Sequence, residues 1–195
     1  MRKAALSLCL AAAMISTSAC NKNDASNQSG QPPAAAKAAG GKTIAAGLAA
    51  DSRFMAAAKA AGIDKTLTGP GPYTVFVPDD AAFAKLPAGS LDNTTDPAQR
   101  AKATSIVTYH MLSGTVLAAD IGKAIDNAKD HKTLMITVGG PTFTASKDGD
   151  TIVLTDSAGN QAHVTKADDQ YSNGVVHHID AVLTPPEPKG APASK

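Results

Sequence analysis

Residues 74–83 read TVFVPDDAAF, and this stretch decides the architecture of the chain. Its β-branched and aromatic residues predict a strand over Tyr73–Val77, because such side chains suit a pleated, buried surface. Pro78 ends the strand, and one of the two aspartates after it can cap a short helix. Aromatic residues make up only 4% of the chain. We therefore predict that Phe76 and Phe83 are core anchors, with an effect on packing out of proportion to their number.

On either side of this stretch the hydrophobic pattern changes period. Apolar residues at helical spacing predict helices over residues 43–61, 97–108 and 118–125, the first with a break near Ser52. Shorter alternating runs predict extended segments that begin near Tyr109 and strands at residues 133–138, 143–145, 152–154 and 175–183. Helices thus crowd the first half and strands the second. This segregation predicts an α+β fold with a mainly antiparallel sheet system.

The N-terminus has the three-part layout of a secretory signal. A positively charged start, an apolar run of about a dozen residues and a short series of small residues precede Cys20. A cysteine directly after small residues resembles the lipid-attachment site of bacterial lipoproteins, although Thr17 stands where that pattern has a leucine. We therefore predict a signal peptide over residues 1–19 and lipidation of Cys20. The alternative is ordinary cleavage nearby and a soluble exported protein.

The segments at the two ends cannot form a core. Residues 20–41 are rich in Asn, Ser, Gly, Pro and Ala, and residues 185–195 are rich in proline. Neither segment offers enough apolar surface to offset the chain entropy of folding. We predict a flexible tether over 20–41, one folded domain over 42–184 and a disordered tail over 185–195.

Composition excludes several classes of function. Lys and Arg number 18 against 17 acidic residues, a net charge of +1, so no basic surface for nucleic acid is predicted. Both cysteines lie within the first 20 residues. The folded part therefore has no disulfide, thiol nucleophile or cysteine-based metal site. No cofactor motif is present, because the glycine-rich turns lack the Gly-Lys-Ser/Thr ending of a phosphate loop.

Catalytic and metal interpretations of the polar residues are weaker than structural ones. His177 and His178 invite a metal site, but adjacent residues of a strand point to opposite faces and cannot grip one ion. No Gly-x-Ser-x-Gly elbow supports a hydrolase. The paired carboxylates Asp79-Asp80 are interpreted as helix caps, and Asp168-Asp169 as a turn. We predict neither a catalytic residue nor a metal ligand.

Three segments, taken in order, resemble the fasciclin-type domain. They are the stretch at 74–83, Tyr109-His110 followed by Met-Leu and a glycine, and NGVVHHIDAVL at 173–183. The resemblance covers about residues 42 to 184. It implies a compact wedge of two packed, mainly antiparallel β-sheets, with the helices concentrated in the N-terminal half. It also implies a secreted or surface-attached adhesion and binding module rather than an enzyme.

The resemblance also assigns roles to single residues. A structural network is expected at the motif positions Tyr109, His110, Asn173, Gly174, His177 and Asp180. The family's fixed histidine matches His177 and is expected to face inward. His178 and Asp168 are candidate contacts for a partner. Some animal members bind integrins through an Asp-Ile pair ahead of the closing Asn-Gly; Asp168 matches the Asp, but Asp169 stands where the Ile belongs.

The expected function is a non-catalytic adhesion or binding module of the cell surface or envelope. Its partner would be an unidentified protein or polysaccharide of the cell surface or matrix, and its membrane contact would be through the lipid anchor alone. The expected location is the envelope, as an outer-membrane lipoprotein, or otherwise the periplasm or the medium. The alternative is a soluble binding protein of the same fold with a small-molecule or polysaccharide ligand.

Overall fold

The computed structural model describes residues 41–49, 52–85 and 96–186. The predictions for the signal peptide, for lipidated Cys20, for nearly all of the tether and for most of the tail lie outside these residues. The domain boundaries at 42 and 184 stay predictions.

Helices gather in the first half of the described chain, as the hydrophobic period predicts. They are α1 Ile44–Gly47, α2 Arg53–Ala61, α3 Asp64–Thr68, α4 Asp80–Ala84, α5 Pro97–Tyr109 and α6 Ala118–Asn127. The break between α1 and α2 falls where Ser52 accepts the backbone N–H of Met55 as the N-cap of α2. Gly62 ends α2 in the left-handed conformation, with φ of 72°. Asp96 caps α5 and Pro97 is its first residue.

The described residues also form seven strands. They are β1 Tyr73–Pro78, β2 Met111–Ser113, β3 Lys132–Ile136, β4 Thr142–Asp148, β5 Thr151–Thr155, β6 Gln161–Tyr171 and β7 Gly174–Ile179. They form a seven-stranded sheet, nearly a barrel, in the order β2-β1-β7-β6-β5-β4-β3. The β1–β7 pair is parallel and the other five pairs are antiparallel. The long β6 has register shifts around Lys166 and pairs with β5 at one end and β7 at the other.

Two hydrophobic clusters cover the two faces of the central strands. Phe76 of β1 packs inside the sheet with Phe143 and Ile179. Its neighbours Val75 and Val77 point the other way, into a cluster that the helices cover and that also holds Phe83. The structure therefore confirms both phenylalanines as buried core residues.

The observed backbone hydrogen bonding corrects three sequence-based expectations. Tyr109 is the last residue of α5 rather than the start of a strand, because helical hydrogen bonding continues through it and His110 is the C-cap. Asp168-Asp169 is not a turn between elements. The pair lies within β6, where Asp168 has φ of 63° and the register with β7 shifts. The predicted strand at 175–183 ends at Ile179.

In the described parts of the chain, no helix is both long enough and apolar enough to cross a membrane.

Candidate functional site: the motif residues and their surroundings

Asn173 is a buried hydrogen-bonding centre for three segments. Its Oδ1 accepts the backbone N–H of Ile44 at 2.8 Å, and its Nδ2 donates to the carbonyls of Leu67 at 2.8 Å and Gly69 at 3.0 Å. Ile44 is the first residue of α1, so this amide caps a helix that lies 129 positions away in sequence. A buried amide stabilises a fold only when its groups are bonded, and here both atoms are. Asn173 therefore holds α1 and the end of α3 against β7.

Two aspartates cap helices in the same long-range way. Asp80 Oδ1 accepts the N–H of Arg53, the first residue of α2, at 3.0 Å. Asp168 Oδ1 accepts the N–H of Ala118, the first residue of α6, at 2.8 Å. A carboxylate at a helix N-terminus satisfies a free donor and interacts favourably with the helix dipole.

These contacts correct two sequence-based interpretations. Asp79 precedes α4 as its N-cap but makes no side-chain capping bond there, and Asp80 caps α2 instead of its own helix. Asp168, interpreted together with Asp169 as a turn, caps α6, and its role as a candidate partner contact stays a prediction. Sequence reasoning assigned capping chemistry to Asp80 but not to Asp168, and it missed both recipients, because the helices concerned begin 27 and 50 residues away.

Gly174 allows β7 to approach β1. Its φ is 154°, and a Cβ at this position would collide with the carbonyl oxygen of Tyr73. Tyr73 and Gly174 form the first pair of the parallel β1–β7 ladder. Glycine tolerates this positive φ, and the close contact of the two backbones leaves no room for a side chain.

His110 joins the end of α5 to the C-terminal segment. It is completely buried, its Nδ1–H donates to the Ile106 carbonyl at 2.8 Å, and its Nε2 accepts the N–H of Leu183 at 3.1 Å. Burial lowers the pKa of His110 to about 4, although the Ile106 carbonyl and the charge of Asp156 act in the opposite direction. The ring is therefore neutral at pH 7, with both nitrogens in use.

His177 is also completely buried, and both of its ring nitrogens are hydrogen-bonded. Its Nε2–H donates to the Val116 carbonyl at 2.9 Å, and its Nδ1 accepts the N–H of Asp168 at 3.3 Å. The ring stacks on Phe76 with centroids 5.2 Å apart. Burial lowers the pKa of His177, with the Val116 carbonyl and the carboxylate of Asp168 acting against that shift. The histidine expected to face inward does so.

Tyr109 hydrogen-bonds to the first residue of β4. The Oη–H donates to the Thr142 carbonyl at 2.9 Å, and the ring meets Phe143 edge-on with centroids 5.8 Å apart. Burial raises the pKa of Tyr109, so the phenol stays protonated and remains a donor. Tyr109 thus ties α5 to the start of β4.

Asp180 bonds to His163 rather than to the other motif residues, with which a network was expected. Its Oδ1 accepts the backbone N–H of His163 at 2.7 Å and its Oδ2 lies 3.0 Å from His163 Nδ1. Burial alone would raise the pKa of Asp180, but these hydrogen bonds outweigh it and hold the pKa below the usual carboxyl value. His110, His177 and Asp180 therefore do not form a shared network. Each secures a different junction of the fold.

His178, on the outer side of β7, belongs to a surface group of charges. Its Nε2 lies 3.2 Å from Asp169 Oδ2, and its Nδ1 lies 3.8 Å from Asp79 Oδ1. Lys166 Nζ also binds Asp169, at 2.7 Å. Burial alone would raise the pKa of Asp169, but the bonds from Lys166 and His178 lower it overall. The His178 side chain is 26% exposed, so an external group can reach it.

A model of the fasciclin domain matches residues 50–185. The chain belongs to the fasciclin-domain family. A solved structure of a pair of such domains from the insect cell adhesion molecule fasciclin I aligns with a TM-score of 0.59 at 18% identity. The alignment covers 74% of this chain and 51% of that one, and it supports the fold alone.

Related fasciclin proteins come from bacteria and animals. A Synechocystis protein, sll1483, is 37% identical over 145 residues, which are 73% of this chain and 72% of the relative. The cell surface glycolipoprotein MPB83 of Mycobacterium bovis is 34% identical over 121 residues, 62% of this chain and 47% of the relative. The pig protein ig-h3, induced by transforming growth factor-β, is 32% identical over 145 residues, only 19% of its own length.

In this fasciclin domain, sequence reasoning missed the buried Asp156. Its Oδ1 accepts the N–H groups of Ala158 and Asn160, both at 2.9 Å. Its Oδ2 accepts the Asn160 side chain at 2.8 Å and the N–H of Thr184 at 2.9 Å. The local half of this pattern is detectable in sequence, since an aspartate ahead of Gly-Asn favours such a turn. The bond to Thr184 depends on the tertiary fold.

A cleft of about 400 Å³ lies beside these bonds. Its lining combines amide, hydroxyl and ammonium groups with small apolar side chains: Ala82, Lys85, Asn160, Gln161, Ala181, Val182 and Thr184. Lys85 Nζ donates to the Asp180 carbonyl at 3.2 Å at its edge. Such a lining suits a polar, uncharged ligand rich in hydroxyl groups better than an apolar one.

The described residues contain no cluster of three His, Cys, Asp or Glu side chains that could hold a metal ion. The buried polar motif residues of the fasciclin domain hydrogen-bond to the backbone of other elements, so they stabilise the fold.

Proposed function

We propose that this fasciclin domain is an adhesion module of the cell envelope, exported and held to the membrane by a lipid on Cys20. The observation that carries the proposal is that the buried motif side chains use their hydrogen-bonding groups inside the domain. Asn173, His110, His177 and Tyr109 all bond to backbone groups inside the domain. Recognition of a partner then falls to the exposed surface. The names of the relatives, a cell adhesion molecule and a cell surface glycolipoprotein, support a surface location.

The anchor is the first element of the proposal to test. A single acyl chain gives only marginal membrane binding, so stable attachment needs the several chains of a lipoprotein. Cys20→Ser is expected to move the exported protein from the detergent-rich to the aqueous phase and to abolish the acyl mass. Cys9→Ser, within the predicted signal, is the matched control and keeps the acyl mass. A wild-type chain without acyl mass contradicts the anchor.

The adhesive role is tested with the full chain displayed on beads. Beads that carry the wild-type protein are expected to bind components of the envelope or matrix, either a protein or a polysaccharide. Beads that carry the same protein after heat denaturation are the unfolded control. Equal retention by both surfaces contradicts folded-state adhesion. A broad hydrolase panel accompanies the assay, because turnover would contradict the proposal that the module is not an enzyme.

A second candidate is a soluble binding protein, and the cleft beside Lys85 favours it. The ligand would be a small polyol or a polysaccharide end, held by the amides of Asn160 and Gln161. Gln161→Ala is expected to reduce binding on a glycan array. Gln170→Ala, an exposed glutamine elsewhere on the same strand, is the control. Equal binding by both variants contradicts this candidate.

A further inference from the structure

The exposed large apolar side chains of the described residues lie on one strand and its extension. They are Leu134 at 68% exposure, Ile136 at 66% and Val138 at 45%. Leu134 and Ile136 are two residues apart on β3 and share its outer face, while Met135 between them packs into the core. Val138 follows in the turn after the strand. Isolated exposed apolar residues need no explanation, but three large ones within five residues mark a candidate contact surface.

The same strand has an open backbone edge. It is the last strand in the sheet order, and no described strand pairs with residues 132–136 on the side away from β4. The Thr137 N–H points towards β4 and donates to the Pro141 carbonyl at 3.3 Å. The next N–H, of Val138, points the opposite way and donates to the Met111 carbonyl at 2.7 Å. Because backbone groups alternate along a strand, those of Leu134 and Ile136 face the open edge.

Leu134 therefore combines an exposed apolar side chain with outward-facing backbone groups. Long apolar edges are usually protected by charge, bulges or covering elements, because they template further strand pairing. Here the outer row contains one charge, Lys132, at its beginning. The inner side alone is covered, by α6.

The sequence and charge of the chain favour a second copy as the occupant. The end segments, 21–40 and 187–195, contain no large apolar residue that could form a matching strand. The strand KTLMI is self-complementary in antiparallel orientation about its centre: Leu134 faces its own copy, and Lys132 lies beside Ile136 of that copy. The lysine stem can then cover apolar surface with its ammonium in water. With a net charge of +1, two copies repel each other little.

We propose that two copies of this chain pair edge to edge through antiparallel β3 strands, centred on Leu134. The pairing joins the two sheets and brings the Leu134 side chains of the two copies into contact at a two-fold axis, with Ile136 of each copy beside the Lys132 stem of the other. It names a partner for the proposed adhesion module and rests on that function for its biological meaning. It requires no other molecule.

The contact is a weak one. A five-residue strand falls well short of the roughly 20–30 residues on each side of a standard stable interface. Pairing is therefore expected to depend on concentration in solution. Copies held on one surface would pair more completely, because tethering raises the effective concentration, to the order of millimolar for short linkers.

Position-specific disulfide formation tests the pairing geometry. In a full-length background with Cys9→Ser and Cys20→Ser, Leu134→Cys places two thiols at an antiparallel hydrogen-bonded pair, with Cα atoms about 5.5 Å apart. That separation suits a disulfide. The control is Thr144→Cys, which faces Leu134 on β4 and lies on the same outer face. In the proposed pair its two copies are about 14 Å apart, three strand spacings.

Under mild oxidation at high protein concentration, Leu134→Cys is expected to give covalent dimer at least tenfold faster than Thr144→Cys. Sedimentation of the cysteine-free chain should show a dimer that Leu134→Lys dissociates, with unchanged circular dichroism. Equal or faster cross-linking of Thr144→Cys would mean face-to-face packing and would overturn the proposal, as would a cysteine-free chain that stays monomeric. Adhesion of beads to envelope components without any dimer would separate this failure from failure of the proposed function.

Discussion

The strands β7 and β3 both contain large apolar residues, but those of β7 are buried and two of those of β3 are exposed to solvent. β7, between β1 and β6, has neighbours on both edges and clusters on both faces, so five of its six residues are buried. β3 has one strand neighbour and one covered face, so its leucine and one isoleucine remain in solvent. The family motifs thus mark positions that assemble this fold. The surface proposed to pair with a second copy lies on β3.

The largest expected effect tests whether the centre of the sheet carries the stability. Phe76→Ala and Phe83→Ala are each expected to cost about 3–5 kcal/mol, through lost burial and a residual cavity. Leu134→Ala on the exposed strand is the control and should stay within about 0.5 kcal/mol of wild type. Urea unfolding measures all three. A loss at Leu134 comparable to the loss at Phe76 would remove the distinction between the two regions.

Acid should weaken the centre of the sheet through its buried histidines. Unfolding frees His110 to take up a proton near the ordinary pKa of about 6.5, whereas its pKa in the fold is about 4. The unfolded state binds more protons between these values, so stability is present above pH 6.5 and is lost as the pH falls towards 4. The loss amounts to about 3 kcal/mol from His110, and His177 adds to it in the same direction.

Urea unfolding at half-unit steps from pH 7 to pH 4 measures this loss. Asp169 and Asp180 have lowered pKa values and lose their contributions only below the usual carboxyl range. The slope between pH 6.5 and 4.5 is therefore assigned to the histidines. A flat profile over this interval would mean that the folded domain accepts protons at the buried rings.

The two adjacent histidines give a sharper comparison within one strand. His177→Ala removes partners from the Val116 carbonyl and the Asp168 N–H and should cost about 1–3 kcal/mol. His178→Ala removes a surface contact with Asp169 and should be nearly silent in stability. The urea midpoints of the two variants measure the difference. Equal losses of stability, or a larger loss for His178→Ala, would contradict the assignment of His177 to the buried face of β7 and His178 to its exposed face.

The smallest expected effect concerns a long-range cap. Asp168→Ala should cost about 1–2 kcal/mol, because the first N–H of α6 loses its acceptor and because alanine tolerates the left-handed backbone at this position less well than aspartate. Hydrogen exchange should then speed up at Ala118, while the amides of α2, which Asp80 caps, keep their protection. Asp168→Asn retains an acceptor oxygen and should restore most of the protection. Uniform loss over both helices would show that Asp168 acts on the whole fold.

These contacts show which parts of the structure a sequence can predict. Helices, strands and the order of elements follow from local periodicity, and the Asp96 cap with Pro97 was predictable because cap and helix are adjacent. The buried position of His177 came from the family resemblance. The partners of Asp80, Asp168 and Asp180 were not predictable, because each acceptor meets a donor from another element that only the assembled sheet brings near. The open edge of β3 was missed because an alternating strand gives the same pattern whether its second edge is paired or free.

The central place of β7 has a consequence for how the chain is made. β1 is synthesised about a hundred residues before the strand that completes its parallel ladder. Ile44 of α1 is synthesised 129 residues before its hydrogen-bond acceptor, the side chain of Asn173. Pairings of such sequence separation form slowly, since a long loop must close before any contact stabilises it. A nascent chain that has not yet reached Gly174 cannot close its sheet. Under the proposed export, this order leaves the chain more time in an extended state, because the last strand to leave the ribosome is the one that permits folding.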